Sequence, residues 1–482
     1  MSTIKALAGQ TAVYGLSSIL GRLLNYLLVP IHTNTFSTSD YGIISEFYAF
    51  VAFLVVVLMF GMETTFFRFV NKSEDKEKTF NQAFSIVSIF NAIFIILILV
   101  FSQSIANWMG YPNHANYVIW FGFILVFDAT SSVIMAKLRY KNQPKRFAFV
   151  QLTSIGVMIA LNLIFIYGLL PYYPDFGIGY IFIANLFGSL VKPIMLIKEI
   201  RQIKLIWDWV VAKAMLVFAL PLVIAGFAGI INETIDRILI KRLVIPEYGD
   251  PVKYAQSQVG IYSGVYKLSI IITLFIQAFR YAAEPFFFSQ EKNKDKDKVY
   301  SKVMTYFVGV VSLIFLVITV FIEVFKWFIP NEAYWEGLHI VPILLLANVC
   351  LGIYYNQSIW YKLADKTRFG AYIAIGGALI TLIMNIVLIP IMGYTGSAWA
   401  TLTVYFLMMV ASYFLGQRYY PIKYNLRKVL AFLIGALILF GIDKLISVDI
   451  LWLSYLFKAI LITIFVGLIF FIENPFKDFK RA

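Results

Sequence analysis

The chain has 482 residues, of which 61% are apolar and only 14% are charged, and its mean hydropathy is +0.81. A soluble domain carries about 25% charged residues, so this composition excludes a string of soluble domains and indicates a membrane protein. A single cysteine, Cys350, excludes an intrachain disulfide and a cysteine-based metal cluster. The net charge of +14 comes from basic residues spread over many loops rather than gathered with aromatic residues on one face, which argues against nucleic-acid binding.

The apolar residues fall into blocks long enough to cross about 30 Å of hydrocarbon as helices. In the first half of the chain these blocks predict membrane-spanning helices at 11–31, 42–67, 80–104, 115–136, 147–169, 177–197 and 214–236. In the second half they predict helices at 258–283, 302–322, 338–361, 369–390, 396–416, 428–446 and 449–471. The predicted fold is therefore an all-α polytopic membrane protein with about fourteen transmembrane helices.

Lysine and arginine are distributed unevenly over the predicted loops. The loops that follow helices 2, 4, 6, 8, 10 and 12 hold about 25 of these residues, and the other loops hold about six. Because loops rich in lysine and arginine stay in the cytoplasm, both termini are predicted to be cytoplasmic and the number of helices to be even.

An internal repeat is present at a spacing of about 221 residues. Three pairs of segments carry it, namely 40–43 (DYGI) with 258–261 (QVGI), 63–67 (ETTFF) with 284–288 (EPFFF), and 146–147 (RF) with 368–369 (RF). This offset implies two parallel six-helix repeats around a central cavity, followed by two C-terminal helices. The predicted divisions are an N-terminal lobe at 1–205, a C-terminal lobe at 206–420, and helices 13 and 14 with a cytoplasmic tail at 421–482.

Three local patterns resemble a known family. They are 21–25 (GRLLN) through Pro30, 232–239 (NETIDRIL) leading into 259–263 (VGIYS), and 385–390 (NIVLIP) followed by 396–401 (GSAWAT). In this order, and with the repeat, they resemble the multidrug/oligosaccharidyl-lipid/polysaccharide exporter superfamily. In detail they resemble its polysaccharide branch, the Wzx-type flippases, over about residues 5–420.

The resemblance implies a flippase in the inner (cytoplasmic) membrane of a bacterium. Such a protein moves an undecaprenyl-pyrophosphate-linked oligosaccharide, the repeat unit of O-antigen, capsule or exopolysaccharide, from the cytoplasmic to the periplasmic leaflet by alternating access. Its expected partners are this lipid-linked oligosaccharide, membrane lipids, and the polysaccharide polymerase with its chain-length machinery. Two alternatives on the same fold stay open, a peptidoglycan-precursor flippase of the MurJ branch and a drug or cation exporter like the MATE transporters.

An enzyme is not expected. The chain shows no Gly-rich phosphate loop, no nucleophile–base pair and no histidine or cysteine cluster with metal spacing. No bound metal or organic cofactor is expected either, although a proton or a sodium ion is a candidate driving ion.

Charges inside the predicted spans are the first candidates for function, because a charge at the bilayer centre costs at least about 2.5–3.5 kcal/mol. The cations are Arg22 in helix 1 and Lys267 and Arg280 in helix 8. The resemblance implies a cationic cavity formed in part by helices 1 and 8, and arginine and lysine are suited to binding a pyrophosphate. For Arg280 the alternative is an ion pair with Glu284, one helical turn along.

The acids inside the spans are candidate counter-ions of those cations or candidate sites for the driving ion. They are Glu46, Asp128, Glu233 and Asp236. For Glu233 the default prediction is an ion pair with Arg237 on the same helix. Lys192 is predicted to reach toward the membrane surface. The repeat-equivalent acids Glu63 and Glu284 are expected to share a structural role.

Polar side chains in the spans are candidate contacts for sugar hydroxyls, with interhelical hydrogen bonds as the alternative. They are Asn25, Asn232, Tyr266 and Gln277.

Overall fold

A computed structural model describes residues 19–247, 249–291, 295–446 and 448–473 of the chain. Within these ranges every regular element is a helix. The lipid environment favours this outcome, because backbone N–H and C=O groups that find no water in hydrocarbon must bond within their own segment. The predicted all-α membrane fold is thus confirmed.

The helices of the first part of the chain are α1 (19–26), α2 (Val29–Thr35), α3 (Thr38–Met59), α4 (Met62–Val70), α5 (Lys76–Met109), α6 (Ala115–Tyr140), α7 (Pro144–Ile164), α8 (Gly179–Met195) and α9 (Ile197–Ile200). A π-helical turn at Phe165–Leu169 and a 3₁₀ turn at Pro174–Phe176 connect α7 to α8.

The second part contains α10 (Trp209–Leu243), α11 (Pro251–Gln290), α12 (Lys296–Val320), α13 (Ile322–Phe325), α14 (Val341–Gln357), α15 (Ile359–Leu363), α16 (Arg368–Met392), α17 (Tyr394–Tyr419), α18 (Leu426–Leu445) and α19 (Leu451–Glu473). The 3₁₀ segments Lys326–Phe328 and Glu332–Ile340 lie between α13 and α14.

Eleven helical stretches of the described residues are long and apolar enough to cross a membrane, and Gly179–Met195 is a shorter apolar helix. The protein is therefore a multi-pass integral membrane protein. The total of fourteen spans stays a prediction, since residues 11–18 of the first predicted helix lie outside the described ranges.

Two predicted spans are interrupted, and the residues at the breaks explain why. Pro30 stands in the first turn of α2, where its fixed φ and missing N–H suit a helix start and end the preceding helix. Phe60 and Gly61, between α3 and α4, have φ values of +44° and +61°. A Cβ at Gly61 would also lie 3.2 Å from the Cβ of Leu222, so glycine suits both the conformation and the packing.

The segment before α10 is tied to the start of α5. Lys78 donates to Asp208 over 3.1 Å, and the amide N–H of Asp208 donates to the side chain of Gln82 over 2.8 Å. The hydrogen bond from the Lys78 ammonium holds the pKa of the Asp208 carboxyl below its usual range. These bonds fix where α10 begins.

The chain forms two compact units. The first comprises the described residues up to Phe36 together with Ile43–Ile238, and α5 pairs with α6 and α7 with α8 inside it. Its core includes Phe66, Phe80 and Ile134. The second comprises Ser37–Gly42 and the described residues from Leu239 onward, and α14 and α16 both pack on α17 inside it.

The repeat is visible in backbone conformation and in hydrogen bonding. Asn142, after α6, and Asp365, after α15, adopt the same left-handed conformation, with φ values of +54° and +53°. In both halves an asparagine amide also bonds back by one helical turn, from Asn162 to the carbonyl of Met158 and from Asn385 to that of Thr381. All three pairs of positions have the same offset, so the two halves share local geometry and not only composition.

Candidate functional site

Arg22 lies on α1 with an exposed side chain, as does Asn25 further along the same helix. Gly21 of the same helix is buried, and a Cβ placed on it would lie 2.5 Å from the Cδ1 atom of Ile155 in α7. Glycine at this position lets α1 pack closely against α7, while the neighbouring guanidinium stays accessible.

Lys267 lies in the middle part of α11 and is half-buried. The preceding Tyr266 is buried, with its ring 6.0 Å from the ring of Tyr262. Gln277 is half-buried on the same helix. Arg280 follows Lys267 by about 20 Å along the helix axis, so one helix places the two cations at different depths.

Arg280 does not form the alternative ion pair with Glu284. Its guanidinium carbon lies 4.1 Å from the centroid of the Tyr355 ring, a cation–π contact. Glu284 pairs with Lys362 of α15 instead. The alternative of a local pair is therefore wrong, because Lys362 of another helix reaches the carboxylate and the Tyr355 ring holds the guanidinium.

Two of the acids predicted in the spans have partners far away in the sequence, one in the loop between α5 and α6 and one on α8. Glu46 of α3 is fully buried, and the hydroxyl of Tyr111 donates to it. Asp128 of α6 accepts a hydrogen bond from the ammonium of Lys192 over 2.9 Å. Lys192 therefore has a structural role as the partner of Asp128, and its reach toward the membrane surface stays a prediction.

The acids on α10 are arranged differently from the expected Glu233–Arg237 pair. Arg237 pairs with the buried Asp236, 2.7 Å away, and also donates to the backbone carbonyl of Glu233. The side chain of Glu233 is exposed, and Asn232 is buried next to it. The prediction of a Glu233–Arg237 ion pair was therefore wrong, because Asp236 presents the nearer carboxylate.

The structure thus brings Asn232, Glu233 and Asp236 together on one turn of α10, whereas Glu46, Asp128 and Arg280 contact residues outside the predicted set. These partners lie 64 or more residues away along the chain, so no local sequence pattern points to them. Of these partners, Lys192 is the one that the sequence singles out, because it is a charge inside a predicted span.

The repeat-equivalent acids have repeat-equivalent partners. Arg139, near the end of α6, pairs with Glu63, and Lys362, in α15, pairs with Glu284. Each cation lies a few residues before the RF motif of its own half, at 146–147 and 368–369. The two acids therefore share the structural role that was expected, as each ties the end of one helix to a neighbouring helix.

Among the described residues, no group of three or more histidine, cysteine, aspartate or glutamate side chains is placed to hold a metal ion. Several of the described charges, among them Asp128, Asp236 and Arg280, instead form pairs of opposite sign or contacts with aromatic rings. Such an arrangement keeps charges tolerable inside an apolar fold.

A known protein family and several solved structures are similar to this chain. A family model described as "Polysaccharide biosynthesis protein" matches residues 7–289, which is more than half of the chain. The chain belongs to this family. The predicted resemblance to the polysaccharide flippases is thereby confirmed. No curated protein matches the sequence.

Solved transporters share the fold of this polysaccharide biosynthesis protein. "Lipid II flippase MurJ, inward closed conformation" is similar with a TM-score of 0.73 and 16% identity, covering 96% of this chain and 98% of that one. An inward-facing multidrug resistance MATE family transporter of the MOP superfamily is similar with a TM-score of 0.61 and 14% identity, covering 88% and 95%. At these identities the similarity concerns the fold, which this chain shares with both solved transporters.

Proposed function

We propose that this protein is a flippase that moves an undecaprenyl-pyrophosphate-linked oligosaccharide from the cytoplasmic to the periplasmic leaflet of a bacterial inner membrane by alternating access. The observation that carries the proposal is a pair of cations, Arg22 in the first predicted span and Lys267 in the apolar helix α11, in a member of a polysaccharide biosynthesis family. A cation within a membrane costs free energy, so its presence there indicates a function. A pyrophosphate is bound well by cationic side chains.

In this proposal Arg22 and Lys267 bind the pyrophosphate, and the polar side chains of Asn25, Asn232, Tyr266 and Gln277 meet the sugar hydroxyls. The protein is not an enzyme, because binding and release on opposite sides need no covalent step. Both termini lie in the cytoplasm, as the distribution of basic loops predicts, and the polysaccharide polymerase with its chain-length machinery receives the product.

A peptidoglycan-precursor flippase is the second candidate, and the fold similarity to a lipid II flippase supports it. Both candidates move a lipid-linked glycan and need the same cationic contacts. A drug or cation exporter is disfavoured, since Arg22 and Lys267 would repel a cationic substrate.

The proposal is tested in the native host after deletion of the gene. We expect the lipid-linked oligosaccharide to accumulate on the cytoplasmic leaflet and the surface glycan to be lost, and the wild-type gene to restore both. Arg22→Ala or Lys267→Ala should fail to restore export although the protein accumulates in the membrane.

Lys458→Ala is the matched control, because Lys458 is also a cation inside an apolar helix, α19, but lies outside the repeat. It should restore export. Normal delivery of the lipid-linked unit to the outer leaflet in the deletion strain would contradict the flippase, and full export by both Ala variants would contradict the assignment of the site.

A further inference from the structure

A small cleft in the C-terminal unit lies where the last third of α11 meets the end of α14 and α15. Its polar lining includes Arg280 and Glu284 from α11 and Asn356 and Lys362 from the other two helices. Aromatic and small or aliphatic side chains form most of the remaining wall. The cavity volume is about 20 Å³, which holds about one water-sized group such as a single phosphate oxygen and not an oligosaccharide.

The cleft carries more positive than negative charge. Arg280 and Lys362 line it together with a single carboxylate, that of Glu284, which pairs with Lys362. Arg280 rests on the face of Tyr355, and such stacking leaves the N–H groups at the edge of a guanidinium able to donate. An anion would therefore find one cation held by an aromatic ring and another that an acid already orients.

Asn356 supplies a further donor. Its side chain is 3% exposed and lines the cleft, and its Nδ2 atom has no hydrogen-bond partner among the described residues. Buried polar groups in native proteins are almost always hydrogen-bonded, so an exception calls for an explanation. A ligand oxygen in the cleft would provide the missing acceptor.

The internal repeat allows the surroundings of this ion pair to be compared with those of its equivalent in the other half. The N-terminal pair, Glu63 with Arg139, occupies the equivalent place in its own unit. At the offsets of the two pairs, Arg280 corresponds to Met59, and Asn356 corresponds to Val133, which is fully buried. In the N-terminal repeat a buried atom without a hydrogen-bond partner is the Nε of Arg139 itself, whereas the C-terminal repeat adds a second cation, Arg280, and the unpartnered amide of Asn356.

We propose that the Arg280–Asn356–Lys362 cleft binds the phosphate group of a lipid. Lys362 and Arg280 neutralise the phosphate charge, and the Nδ2 atom of Asn356 donates to one of its oxygens. The helix ends that form the cleft are followed by loops predicted to be cytoplasmic, at the depth of lipid headgroups. The phosphate has two sources, an anionic phospholipid of the bilayer and the lipid-linked substrate before its translocation.

The test is binding of lipid probes to the purified full-length protein in detergent, measured by native mass spectrometry. The probes are dioctanoyl phosphatidylglycerol, undecaprenyl phosphate, and dioctanoylglycerol, which has the same acyl chains as the first probe but no phosphate. The use of undecaprenyl phosphate rests on the proposed function.

Lys362→Gln and Asn356→Leu should each weaken binding of a phosphate-bearing probe about tenfold, and binding of dioctanoylglycerol should stay unchanged. Arg139→Gln, at the equivalent pair of the other repeat, is the matched control and should bind all probes as the wild type does. Arg280→Gln provides another variant if Asn356→Leu fails to fold, and the thermal midpoint of each variant reports on folding.

A loss confined to undecaprenyl phosphate would support the proposal with the substrate as the ligand, and a loss confined to phosphatidylglycerol would support it with a bilayer lipid. Wild-type binding of both phosphate probes by all three cleft variants, or an equal loss in Arg139→Gln, would overturn it. Because binding is measured without translocation, failure here leaves the export experiment standing, and failure of export leaves this result standing.

Discussion

At the scale of single residues, the Asp128–Lys192 pair shows how the fold tolerates charges in apolar helices. The pair joins α6 to α8 through a 2.9 Å hydrogen bond, with both side chains partly buried. Removing one member leaves the other charge without its partner in an apolar setting, which is more harmful than removing both.

We therefore expect Lys192→Met to destabilise the protein by about 1–3 kcal/mol and to lower its thermal midpoint in detergent. The double variant Asp128→Asn/Lys192→Met should recover much of that loss, because no unpaired charge remains. A double variant that is less stable than Lys192→Met would show that the pair does not act as a unit.

Glu46 is one of the acids inside the predicted spans that are candidates for binding a driving ion. It is fully buried in α3 and accepts a hydrogen bond from Tyr111, and protonation would remove the cost of a charge there. Glu46→Gln keeps an acceptor for the tyrosine hydroxyl but cannot take up a proton.

If transport is coupled to a proton at Glu46, the Gln variant should translocate lipid-linked oligosaccharide in proteoliposomes at a rate that no longer changes with an imposed pH gradient. Tyr111→Phe is the control, as it removes the hydrogen bond but keeps the titratable group, and it should stay gradient-dependent. An unchanged response to the gradient in Glu46→Gln would exclude this residue as the coupling site.

At the scale of elements, the start of α3 packs against α11 without room for a side chain. Gly42 and Gly260 are repeat-equivalent, and a Cβ on either would lie within 2 Å of a backbone oxygen, that of Gln256 or of Thr38. Hydroxyls join the same helices through a 2.7 Å contact between Thr38 and Ser257. The close approach of two helices through small residues is typical of membrane proteins.

Gly42→Ala and Gly260→Ala should each destabilise the protein by about 1–3 kcal/mol, because the added methyl group forces the helices apart. Gly376→Ala is the control, since a Cβ there meets no atom within 4 Å, and it should be neutral or slightly stabilising in a helix. Thermal denaturation of the purified variants checks this ranking, and wild-type midpoints for both tested variants would refute the packing argument.

Helices were the part of the fold that sequence alone predicted well, because apolar blocks of membrane length have few alternatives in lipid. The breaks were missed. A hydropathy pattern treats Pro30 and Gly61 as ordinary members of apolar runs, whereas φ restrictions and the approach of Leu222 decide that a helix ends there. Such breaks depend on packing that hydropathy does not contain.

At the scale of the whole molecule, the repeat predicted which acids share a role but not what they contact. Glu63 and Glu284 were recognised from their neighbours in sequence, yet their partners Arg139 and Lys362 come from helices about 76 residues further along. Side-chain pairing depends on which helices pack together, and one sequence carries that information only indirectly. For the same reason the alternative considered for Arg280 was a partner on its own helix, and the contact with Tyr355 was not foreseen.

The two halves have diverged around this shared pair, and exchanging its charges separates a structural role from a binding role. Glu63→Arg/Arg139→Glu reverses the pair where the surroundings are apolar residues such as Val133. Glu284→Lys/Lys362→Glu reverses it where Arg280 and Asn356 line the same cleft. Each exchange keeps one cation beside one anion and leaves the net charge unchanged.

We expect the N-terminal exchange to accumulate in the membrane and to support surface-glycan export at close to the wild-type level. The C-terminal exchange should also accumulate but should reduce export at least about tenfold, because it places a carboxylate where the cleft would receive a phosphate and like charges repel there. Membrane abundance and surface glycan are measured in the deletion strain, with the single reversals as references for a broken pair. Equal export by the two exchanges would mean that the pairs are structural in both halves, since the extra cation and amide would then have no consequence for transport.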